Sequence, residues 1–366
     1  MRLVFLTSTP LSVRGGSGTF VGISVLRDAL IALGHQVAVV APPPGPMPLG
    51  HAAQRIGFNL RAGRRLAALG GPVDCVIGFD LDGCLLRHRW PFVASIKGVL
   101  AEELTFERGV VRFSLWTQSR FERLNVRRAP LVLTTSQYAR SRIAAAYGVS
   151  PAKIAVVPEP IDLAHWRAAL AAAGDPAAWT PTILTVCHLY PRKSVDVLLR
   201  AMTRVRAAAP EARLHVVGVG PEAAGLVALR DALDLADAVT FLGHIPFDQL
   251  TREYRDCALF CLPSRQEGFG IVLLEAMAAG RAVVTTTAAA MPEVVPDGVA
   301  GRLVLPGDPD ALADALIALL TDRAQAELLG RQGACHVAAY DAPVVAERFL
   351  EAIAGLQMMG GLQVTG

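Results

Sequence analysis

Two glutamates flank the start of a predicted helix in the segment PSRQEGFGIVLLEAMAAGRAVVTT. A buried strand is predicted to end at Leu262, and the helix is predicted to begin near Ile271. The Gly-Phe-Gly triplet between them lets a ligand approach the backbone closely, and the unpaired amides of a helix start attract anions. Glu267 precedes the helix, and Glu275 lies about one turn inside it. This arrangement suits a ligand that carries both phosphate groups and sugar hydroxyls.

Lysine is rare in this chain. Arginine supplies nearly all of the cations, and the only lysines are Lys97, Lys153 and Lys193. A compact ammonium retained among so many guanidinium groups hints at a particular role. Lys193 follows a predicted strand that ends near Leu189, so it and Lys97 are the lysines that we consider as functional candidates.

Short apolar segments alternate with amphipathic helical segments along the chain. The first series begins with LVFL, continues through a turn-rich loop to TFVGISVLRDALIAL, and reaches QVAVVA; a second series begins at ILTVCHL. Such alternation predicts an α/β fold with parallel sheets covered on both faces. Two successive series predict two doubly wound domains. Ligands of these folds bind beyond the carboxyl ends of the strands, so we expect a cleft between two facing edges.

The predicted domain organisation has four parts. Residues 1–165 are assigned to a first Rossmann-like domain and residues 181–338 to a second. Residues 166–180 are alanine-rich and bounded by prolines, as expected of an interdomain linker. Residues 339–358 are predicted to form a C-terminal helix that packs back on the first domain, followed by a frayed tail.

Length and composition exclude several classes of protein. A chain of 366 residues suits two α/β domains, and 52% hydrophobic with 18% charged residues excludes a disordered chain. A net charge of +3 does not suggest nucleic-acid binding. No apolar run approaches the length of a membrane-spanning helix, and MRLVFLTSTP is interrupted too soon for a signal peptide, so a cytoplasmic location is expected. The six dispersed cysteines are predicted to be buried free thiols.

The sequence resembles the retaining glycosyltransferases of family 4, which have the GT-B fold: two Rossmann-like domains that face each other across a cleft. The resemblance covers nearly the whole chain and is strongest in PRKSVDVLL, VVGVGP, VTFLG, the segment with the two glutamates, and MPEVVPDGVAGRLV. It is also readable in GGSG, TSQYARSRI and VVPEPID. The resemblance implies that Glu267 contacts donor-sugar hydroxyls, that Glu275 contacts the nucleotide ribose, and that Lys193 contacts the donor diphosphate. It also implies that the first domain lies on the acceptor side.

Further donor contacts are implied by the same resemblance, among them a glycine-rich loop after the first strand that closes over the donor phosphates. These additional candidates are Gly15, Gly16, Gly220, Ile245, Gly268, Phe269, Gly270 and Ile271. The glycine-rich loop is not a P-loop, because no Gly-Lys-Ser/Thr follows it. Gly218 and Gly220 do not form a dinucleotide fingerprint, because the third glycine is missing.

Two positions depart from the family's pattern. Where the family commonly has arginine in a Gly-Arg-Leu triplet, this chain has His188. A protonated imidazole donates one strong hydrogen bond but does not replace a guanidinium fork, and a packed strand-end histidine is the alternative. Where the family usually shows histidine before glycine, this chain has Lys97, which we expect to face the cleft as a second cation or an orienting group.

Two acidic residues follow Lys97 closely. Glu102 and Glu103 are interpreted either as partners of Lys97 or as groups that reach the acceptor. The alternative is an ordinary solvent-exposed lysine paired with one of them.

Asp80, Leu81 and Asp82 match the metal-binding Asp-x-Asp of the other glycosyltransferase fold. Nothing else in the sequence supplies metal ligands, so a strand-end turn is expected, with Asp80 on the acceptor side.

Arginines alternate with apolar residues between positions 55 and 66. The cations are Arg55, Arg61, Arg64 and Arg65. Their pattern fits an ordinary solvated helix, or a basic amphipathic helix that contacts an anionic membrane from its inner face, as in family members with lipid acceptors.

The favoured function is that of a retaining, metal-independent glycosyltransferase that moves a hexosyl group from a UDP- or GDP-linked sugar to a glycan, lipid-linked or small-molecule hydroxyl. No carboxylate is a convincing nucleophile, so a front-face transfer is favoured, with Lys193, the Gly268–Ile271 amides and either His188 or Lys97 stabilising the departing diphosphate. No metal or other cofactor is expected. One alternative is a non-catalytic sugar-nucleotide-binding protein. The other is a GT-B enzyme with epimerase or pseudo-glycosyltransferase chemistry.

Overall fold

The computed structural model of the protein describes residues 1–9, 18–42, 51–86, 90–174 and 179–359. The chain divides into two compact units. The first comprises Met1–Pro160 together with Ala342–Gly366, and the second comprises Ile161–Asp341. Each unit alternates parallel strands with helices, so the α/β class predicted from the periodicity is confirmed.

The first unit contains one parallel sheet, with described strands β1 (Arg2–Leu6), β2 (Gln36–Val40), β3 (Cys75–Phe79), β4 (Phe92–Ile96), β5 (Leu131–Thr134) and β6 (Ile154–Val156). Its described helices are α1 (Gly18–Ala32), α2 (His51–Ala67), α3 (Leu100–Glu103), α4 (Gly109–Arg128), α5 (Gln137–Tyr147) and α14 (Ala342–Met359). The strand order is β2-β1-β3-β4-β5-β6. The direction of winding therefore reverses between β1 and β3, and such a switch point is where ligands of doubly wound sheets bind.

The second unit contains a parallel sheet built from β7 (Thr182–Val186), β8 (Arg213–Val217), β9 (Val239–Gly243), β10 (Leu259–Leu262), β11 (Ala282–Thr286) and β12 (Gly301–Val304). Its described helices are α6 (Leu163–Ala172), α7 (Val195–Ala208), α8 (Ala223–Ala232), α9 (Phe247–Asp256), α10 (Ile271–Ala278), α11 (Met291–Val294), α12 (Pro309–Thr321) and α13 (Arg323–His336). The strand order is β12-β11-β10-β7-β8-β9, which places the switch point between β7 and β10.

Both faces of the second sheet are covered by apolar side chains. In β10, Leu259 and Cys261 belong to one hydrophobic cluster, whereas Phe260 and Leu262 belong to another. Successive side chains of a strand point to opposite faces, so the two clusters are the two layers packed on this sheet. A strand buried on both faces reads as a continuous apolar run, as LFCL does.

The segment 166–180, which the sequence analysis predicts to be a linker, begins inside α6. Asp162 caps this helix by accepting a hydrogen bond from the backbone N–H of His165 at 2.8 Å. The ring of Trp166 is buried and lies edge-on to the rings of Phe247 and Tyr254. Aromatic packing therefore holds this alanine-rich stretch in the second unit, and the chain divides at Pro160 instead of residue 165.

The last described helix belongs to the first unit, although it follows the second unit in sequence. Val345, Ala346 and Phe349 of α14 are buried in the cluster that contains Phe5 of β1. The Phe5 and Phe349 rings pack edge-on with centroids 6.3 Å apart. The helix was predicted to begin at residue 339, but it begins at Ala342, because Val337–Tyr340 form a 3₁₀ turn.

Candidate active site

In the second unit, Lys193 and Glu267 meet at the switch point. Lys193 ends a 3₁₀ turn that follows β7, and Glu267 lies between β10 and α10. β7 and β10 are adjacent strands, with Leu184 opposite Phe260, so the loops after them emerge side by side. The Lys193 ammonium donates a hydrogen bond to Oε1 of Glu267. The fold thus brings together two candidates that are 74 positions apart in sequence.

The Lys193–Glu267 pair is largely withdrawn from water. Each side chain is 11% exposed, and Ser264 donates a second hydrogen bond to Oε1 of Glu267 at 3.1 Å. Separating the two partners of a buried ion pair leaves each charge uncompensated, so the two side chains stay together. The pair therefore fixes an ammonium and a carboxylate at the position where a doubly wound sheet binds its ligand.

Helix α10 begins directly beside this pair. Gly270 precedes the helix in the left-handed conformation, with φ of +89°. A Cβ atom at this position would lie 2.9 Å from Cδ1 of Leu273, so only glycine fits without strain. Gly270 has no side chain to cap the helix, and the Leu273 N–H donates to the Gly270 carbonyl at 2.9 Å, so the helix-start amides without an acceptor inside the helix are those of Ile271 and Val272. These amides can bind an anionic ligand.

Two candidates in the neighbouring loops have core side chains. The Phe269 ring is 5% exposed and packs edge-on to Tyr340, with centroids 5.6 Å apart. Ile245 is also buried, in the same hydrophobic cluster. Their side chains are held in the core, so ligand binding by these two residues stays a prediction about their backbone groups. Gly268 and Ile271 are half-buried on either side of the Phe269–Gly270 pair.

Glu275 lies on α10 and is buried against α9. Its Oε2 accepts a hydrogen bond from the Tyr254 hydroxyl at 2.8 Å. Burial raises the pKa of Glu275 to about 7, and the hydrogen bond from Tyr254 opposes that rise. A carboxyl group with this pKa is partly protonated near neutral pH, which the sequence alone does not reveal.

The raised pKa of Glu275 predicts a pH-dependent stability. The folded state holds the proton more tightly than the unfolded state, whose carboxyl group has a pKa near 4.5. The contribution of Glu275 to the free energy of unfolding is therefore complete below pH 4.5 and falls by about 3 kcal/mol as the pH rises to about 7. Urea unfolding of the wild type and Glu275→Gln between about pH 5 and pH 8 measures this difference. The prediction would be contradicted if the difference in the free energy of unfolding between the two proteins were the same at every pH.

The glycines after β8 allow two backbone segments to touch. Gly218 has φ of +133°, and a Cβ atom there would lie 1.8 Å from the carbonyl oxygen of Cys187. A Cβ atom at Gly220 would lie 2.5 Å from the carbonyl oxygen of Leu189. The loop after β8 thus passes against the end of β7, and both glycines are needed for that packing.

His188 follows β7 and is exposed. Its ring is tilted relative to that of Tyr190, with centroids 6.2 Å apart, while the neighbouring Leu189 is buried. The packed strand-end position therefore belongs to Leu189, and the alternative of a packed histidine is wrong for His188.

In the first unit, Lys97 pairs with a residue that the sequence analysis did not consider. Lys97 Nζ lies 3.0 Å from Oε2 of Glu159, and both side chains are 7% exposed. The Lys97 backbone N–H donates to Oδ1 of Asp80 at 3.1 Å. Lys97 follows β4 and Glu159 follows β6, so both lie at the carboxyl edge of the same sheet. The alternative of a solvent-exposed lysine is wrong.

The acidic residues of α3 have other neighbours. Glu102 accepts a hydrogen bond from the Tyr138 hydroxyl and lies 3.5 Å from Nε of Arg142. Oε1 of Glu103 lies beside Gly98, where it would be 2.6 Å from a Cβ atom. Glu102 is thus held by α5, and Glu159 takes the position next to Lys97 that the sequence analysis gives to Glu102 or Glu103.

The Asp80–Asp82 segment is a strand-end turn, as expected. Asp80 has φ of +55° and Asp82 is fully buried. Asp82 accepts hydrogen bonds from the Ser8 backbone and hydroxyl at 2.6 and 2.8 Å, and from Asn59 at 2.8 Å. Its burial raises its pKa, while Arg55 and these hydrogen bonds oppose the rise. These donors belong to the protein, so the Asp82 carboxylate has a structural role.

Profiles of two known families match the two halves of this chain. One, described as Glycosyltransferase Family 4, matches residues 16–165, and the other, described as Glycosyl transferases group 1, matches residues 180–322. The chain belongs to glycosyltransferase family 4. The resemblance stated from its motifs is therefore confirmed.

Curated relatives of this family 4 protein are similar over part of their length. A GDP-mannose-dependent alpha-(1-6)-phosphatidylinositol monomannoside mannosyltransferase of Mycobacterium tuberculosis is 34% identical over 221 residues, covering 56% of each chain. A D-inositol 3-phosphate glycosyltransferase of Nocardia farcinica is 34% identical over 232 residues, covering 60% of this chain and 51% of the relative. The matched region spans about half the length of these relatives.

Solved structures share the fold of the family 4 protein. Sucrose-phosphate synthase from Thermosynechococcus elongatus has a TM-score of 0.81 at 20% identity, covering 98% of this chain and all of that one. Anabaena HepE in complex with UDP-glucose has a TM-score of 0.76 at 18% identity, covering 97% of this chain and all of the other. The GT-B fold class is therefore confirmed.

Three partners of candidate residues were not identified from the sequence of the family 4 protein. Ser264 and Tyr254 hold the two glutamates, and Glu159 holds Lys97. Glu159 ends the apolar run KIAVVPE, so the rule that ligands bind at strand ends makes it a site candidate, although it does not identify Glu159 as the partner of Lys97. Tyr254 lies within α9, and no sequence signal marks it as a neighbour of Glu275.

Other predictions concern the wider chain. In the described ranges, no cluster of three or more His, Cys, Asp or Glu side chains is arranged to hold a metal ion. Among the helices that the structure describes, none is long and apolar enough to cross a membrane.

The six cysteines are free thiols. Four are buried and Cys187 is half-buried, but Cys335 is exposed, which corrects the prediction for that residue. Gly15 and Gly16 lie outside the described residues.

Proposed function

We propose that this family 4 protein is a hexosyltransferase that uses a nucleoside diphosphate sugar, retains the anomeric configuration and needs no metal ion. The observation that carries the proposal is the buried Lys193–Glu267 pair at the β7–β10 switch point, beside the start of α10. A cation and helix amides suit a diphosphate, and an adjacent carboxylate suits sugar hydroxyls.

Binding of the donor rearranges the Lys193–Glu267 pair. The diphosphate carries more negative charge than one carboxylate, so it draws the Lys193 ammonium away from Oε1 of Glu267. Glu267 then accepts hydrogen bonds from the donor-sugar hydroxyls, with Ser264 still holding its position. Without the donor, these two side chains thus stabilise each other. When the donor binds, Lys193 contacts its diphosphate and Glu267 contacts its sugar.

Transfer then follows a front-face path. The bond between the anomeric carbon and the phosphate oxygen breaks, and its electron pair goes to the departing diphosphate. The acceptor oxygen bonds to the anomeric carbon on the same face and gives its proton to the phosphate oxygen. Lys193 and the α10 amides stabilise the charge that develops on the leaving group, which is the role that a metal ion plays in other sites. Glu275 is proposed to hold the ribose, with Tyr254 orienting its carboxyl group.

The first unit is proposed to bind the acceptor. Asp80, Lys97 and Glu159 lie at the carboxyl edge of its sheet, which is the edge where doubly wound sheets bind ligands. Charged groups at this edge suit an acceptor with several hydroxyl or phosphate groups. The mannosyltransferase and inositol phosphate glycosyltransferase relatives support this choice, because their names give a phosphatidylinositol monomannoside and an inositol 3-phosphate, both of which contain a phosphorylated inositol.

A donor screen tests the proposed function. UDP- and GDP-sugars are screened by thermal shift, and the best donor is used in a transfer assay with an inositol phosphate and with glycan acceptors. NMR of the product shows whether the anomeric configuration is retained, and an EDTA-treated sample should keep its activity. Donor binding without product would favour the non-catalytic alternative, and an epimerised nucleotide sugar would favour the epimerase. Loss of activity in EDTA that manganese restores would contradict metal independence.

The two glutamates are expected to affect different steps. Glu275→Ala should raise the Kd for the nucleoside diphosphate, because it removes the proposed ribose contact. Glu267→Ala should lower kcat by about tenfold or more while changing that Kd little, because its proposed contacts are with the sugar. Calorimetry with the nucleotide and steady-state kinetics with the donor separate the two effects. Equal, small effects of both substitutions would remove the assigned roles.

A further inference from the structure

Strand β2 forms one edge of the first sheet, and among the described strands it pairs with β1 alone. The Gln36 N–H donates to the Met1 carbonyl at 2.9 Å, so the backbone groups of Gln36 point towards β1. Backbone groups point alternately to the two sides of a strand, so the N–H and C=O groups of Val37 and Val39 point away from β1. In the part of the chain that the structure describes, these four outward groups have no hydrogen-bond partner. They form an open sheet edge.

The side chains that normally protect an edge strand are missing from β2. Natural edge strands avoid pairing by carrying charged residues or proline, or by being covered. Residues 36–40 read QVAVV, so β2 has neither a charge nor a proline. The edge of the second sheet at β12 is different: the Leu303 N–H donates to Asp297 at 3.0 Å, and the Gly301 carbonyl accepts from the Gly298 N–H at 2.9 Å. The β12 edge is thus closed by its own preceding loop, whereas the β2 edge is open to another strand.

Helix α2 protects only the far end of this edge. The Arg65 guanidinium lies over the Phe58 ring and donates to the carbonyl of Ala41, one residue beyond β2, at 3.2 Å. Arg55 is buried and donates to the Ser8 hydroxyl at 2.9 Å, so both the solvated and the membrane-facing interpretation of the arginine pattern are wrong for Arg55. Neither arginine bonds to the centre of β2, which is left open.

Apolar side chains next to the open edge are also partly exposed. Val37 and Val39 are half-buried against the cluster formed by α1, α14 and the central strands. Ala38 is half-buried on the opposite face of the sheet. Ile31 and Leu33, at the end of α1 that leads into β2, are 48% and 40% exposed. The edge thus combines open backbone groups with an apolar layer that a partner strand can extend.

We infer that the β2 edges of two copies of this chain pair antiparallel around a two-fold axis. A pair centred on Ala38 places Val37 opposite Val39 of the second copy, and Val39 opposite Val37. Each of these two pairs exchanges two hydrogen bonds, so all four outward groups of each copy find partners. The two Ala38 residues meet at the axis as a non-hydrogen-bonded pair, where strands approach most closely and a small side chain fits.

A second copy suits this edge better than an unrelated strand. A two-fold interface uses the same surface on both copies, so an uncharged edge meets an uncharged edge. The valines of the two copies then form one continuous apolar row on the α1 face, and cross-strand pairs of β-branched residues are favourable. A partner strand with lysine or glutamate would place those charges beside valines, with no matching charge in β2. This inference goes beyond the proposed transferase function and does not depend on it.

Sedimentation and light scattering of the full chain between about 1 and 100 μM test the inference, and the fraction of dimer should rise with concentration. Val39→Pro removes an outward N–H that β1 does not use, and with it two of the four interface hydrogen bonds. Val39→Ala is the matched control, because it shortens the same side chain but keeps the N–H. Val39→Pro should raise the Kd of the dimer by about tenfold or more beyond the effect of Val39→Ala. Melting temperatures of both variants are checked first.

Cysteine substitutions test the register independently. They are made in Cys335→Ser, which removes the exposed native thiol. Ala38→Cys should give a disulfide-linked dimer on air oxidation, because the Cα atoms of a non-hydrogen-bonded pair lie about 4.5 Å apart. Gln36→Cys is the control, since two residues from the axis its copies would lie about 13 Å apart, too far for a disulfide.

Three results would each overturn the inference: a monomer at every concentration, equal effects of Val39→Pro and Val39→Ala on the dimer, and equal cross-linking from the two cysteine variants. Hydrogen exchange identifies the other occupant of the edge. Slow exchange of the Val37 and Val39 amides in a monomer would show that the chain covers its own edge. None of these results bears on the transferase proposal, because sugar transfer is assayed separately.

Discussion

Lys193→Ala is expected to lower kcat for sugar transfer by about 100- to 1,000-fold, which corresponds to about 3–4 kcal/mol of transition-state stabilisation. The Lys193 ammonium is the cation at the β7–β10 switch point that the fold holds against Glu267. Its removal takes a positive charge from the departing diphosphate. It also leaves the Glu267 carboxylate buried, with the Ser264 hydroxyl as its remaining donor among the described residues, so a repulsive charge stays near the phosphates.

The adjacent arginine provides a matched control. Arg192 donates to Gln266 at 3.1 Å and lies over the Tyr190 ring, so its cation is engaged away from Glu267. Arg192→Ala should change kcat by less than about threefold, and Lys193→Arg should retain more activity than Lys193→Ala because it keeps the charge. These values come from steady-state kinetics with the donor identified by the screen. Equal losses in Lys193→Ala and Arg192→Ala would show that the site needs general positive charge and not this ammonium.

Lys97→Ala is expected to destabilise the first unit by about 3–5 kcal/mol. Its partner Glu159 is 7% exposed, and its carboxylate lies against the backbone of Gly22 in α1, where Oε2 would be 2.1 Å from a Cβ atom. A carboxylate enclosed in this way is not easily rehydrated when its ammonium is removed. The loss of Lys97 therefore leaves a buried, unpaired charge, in addition to its expected effect on activity.

A double-mutant cycle isolates the Lys97–Glu159 interaction. Lys97→Met combined with Glu159→Gln removes both charges and should recover most of the stability lost in Lys97→Met alone. Urea unfolding of the four proteins gives the coupling energy, and transfer assays on the same proteins show whether activity follows stability. Additive effects of the two substitutions would mean that the pair does not stabilise the fold. Low activity in a fully stable double variant would place Lys97 in the acceptor site.

The periodicity of the sequence was sufficient to predict the fold, because strands buried on both faces and amphipathic helices leave regular apolar patterns. Lys193 and Glu267 were also predictable, since the rarity of lysine and the Gly-Phe-Gly turn are visible in the sequence. The partner of Lys97 was not, because Glu159 lies 62 positions away and only the parallel order of β4, β5 and β6 brings the two together. Alanine-rich α6 looked like a linker because the packing of a few side chains holds it, among them Leu163 in the core and Trp166 against rings of α9.

The exposed aromatic rings of α4 show a second limit of prediction from the sequence. Phe113 and Trp116 are three positions apart, which is the spacing of a buried helical stripe. Periodicity identifies a helical face but does not say which face the sheet covers. The buried side was decided by polar residues, Gln118, Glu122 and Asn125, whose hydrogen bonds are made inside the first unit.

The packing of α14 has a consequence for how the chain folds during synthesis. The second unit is one continuous stretch, Ile161–Asp341, so all of its contacts are available as soon as that stretch has left the ribosome. The first unit begins to emerge earlier but lacks Val345 and Phe349, which cover Phe5 and its neighbours, until α14 is made. An apolar face of its central strands therefore stays uncovered while the second unit is translated. A chain truncated after residue 341 and released from the ribosome should thus display a protease-resistant second unit and a first unit that is still open to cleavage.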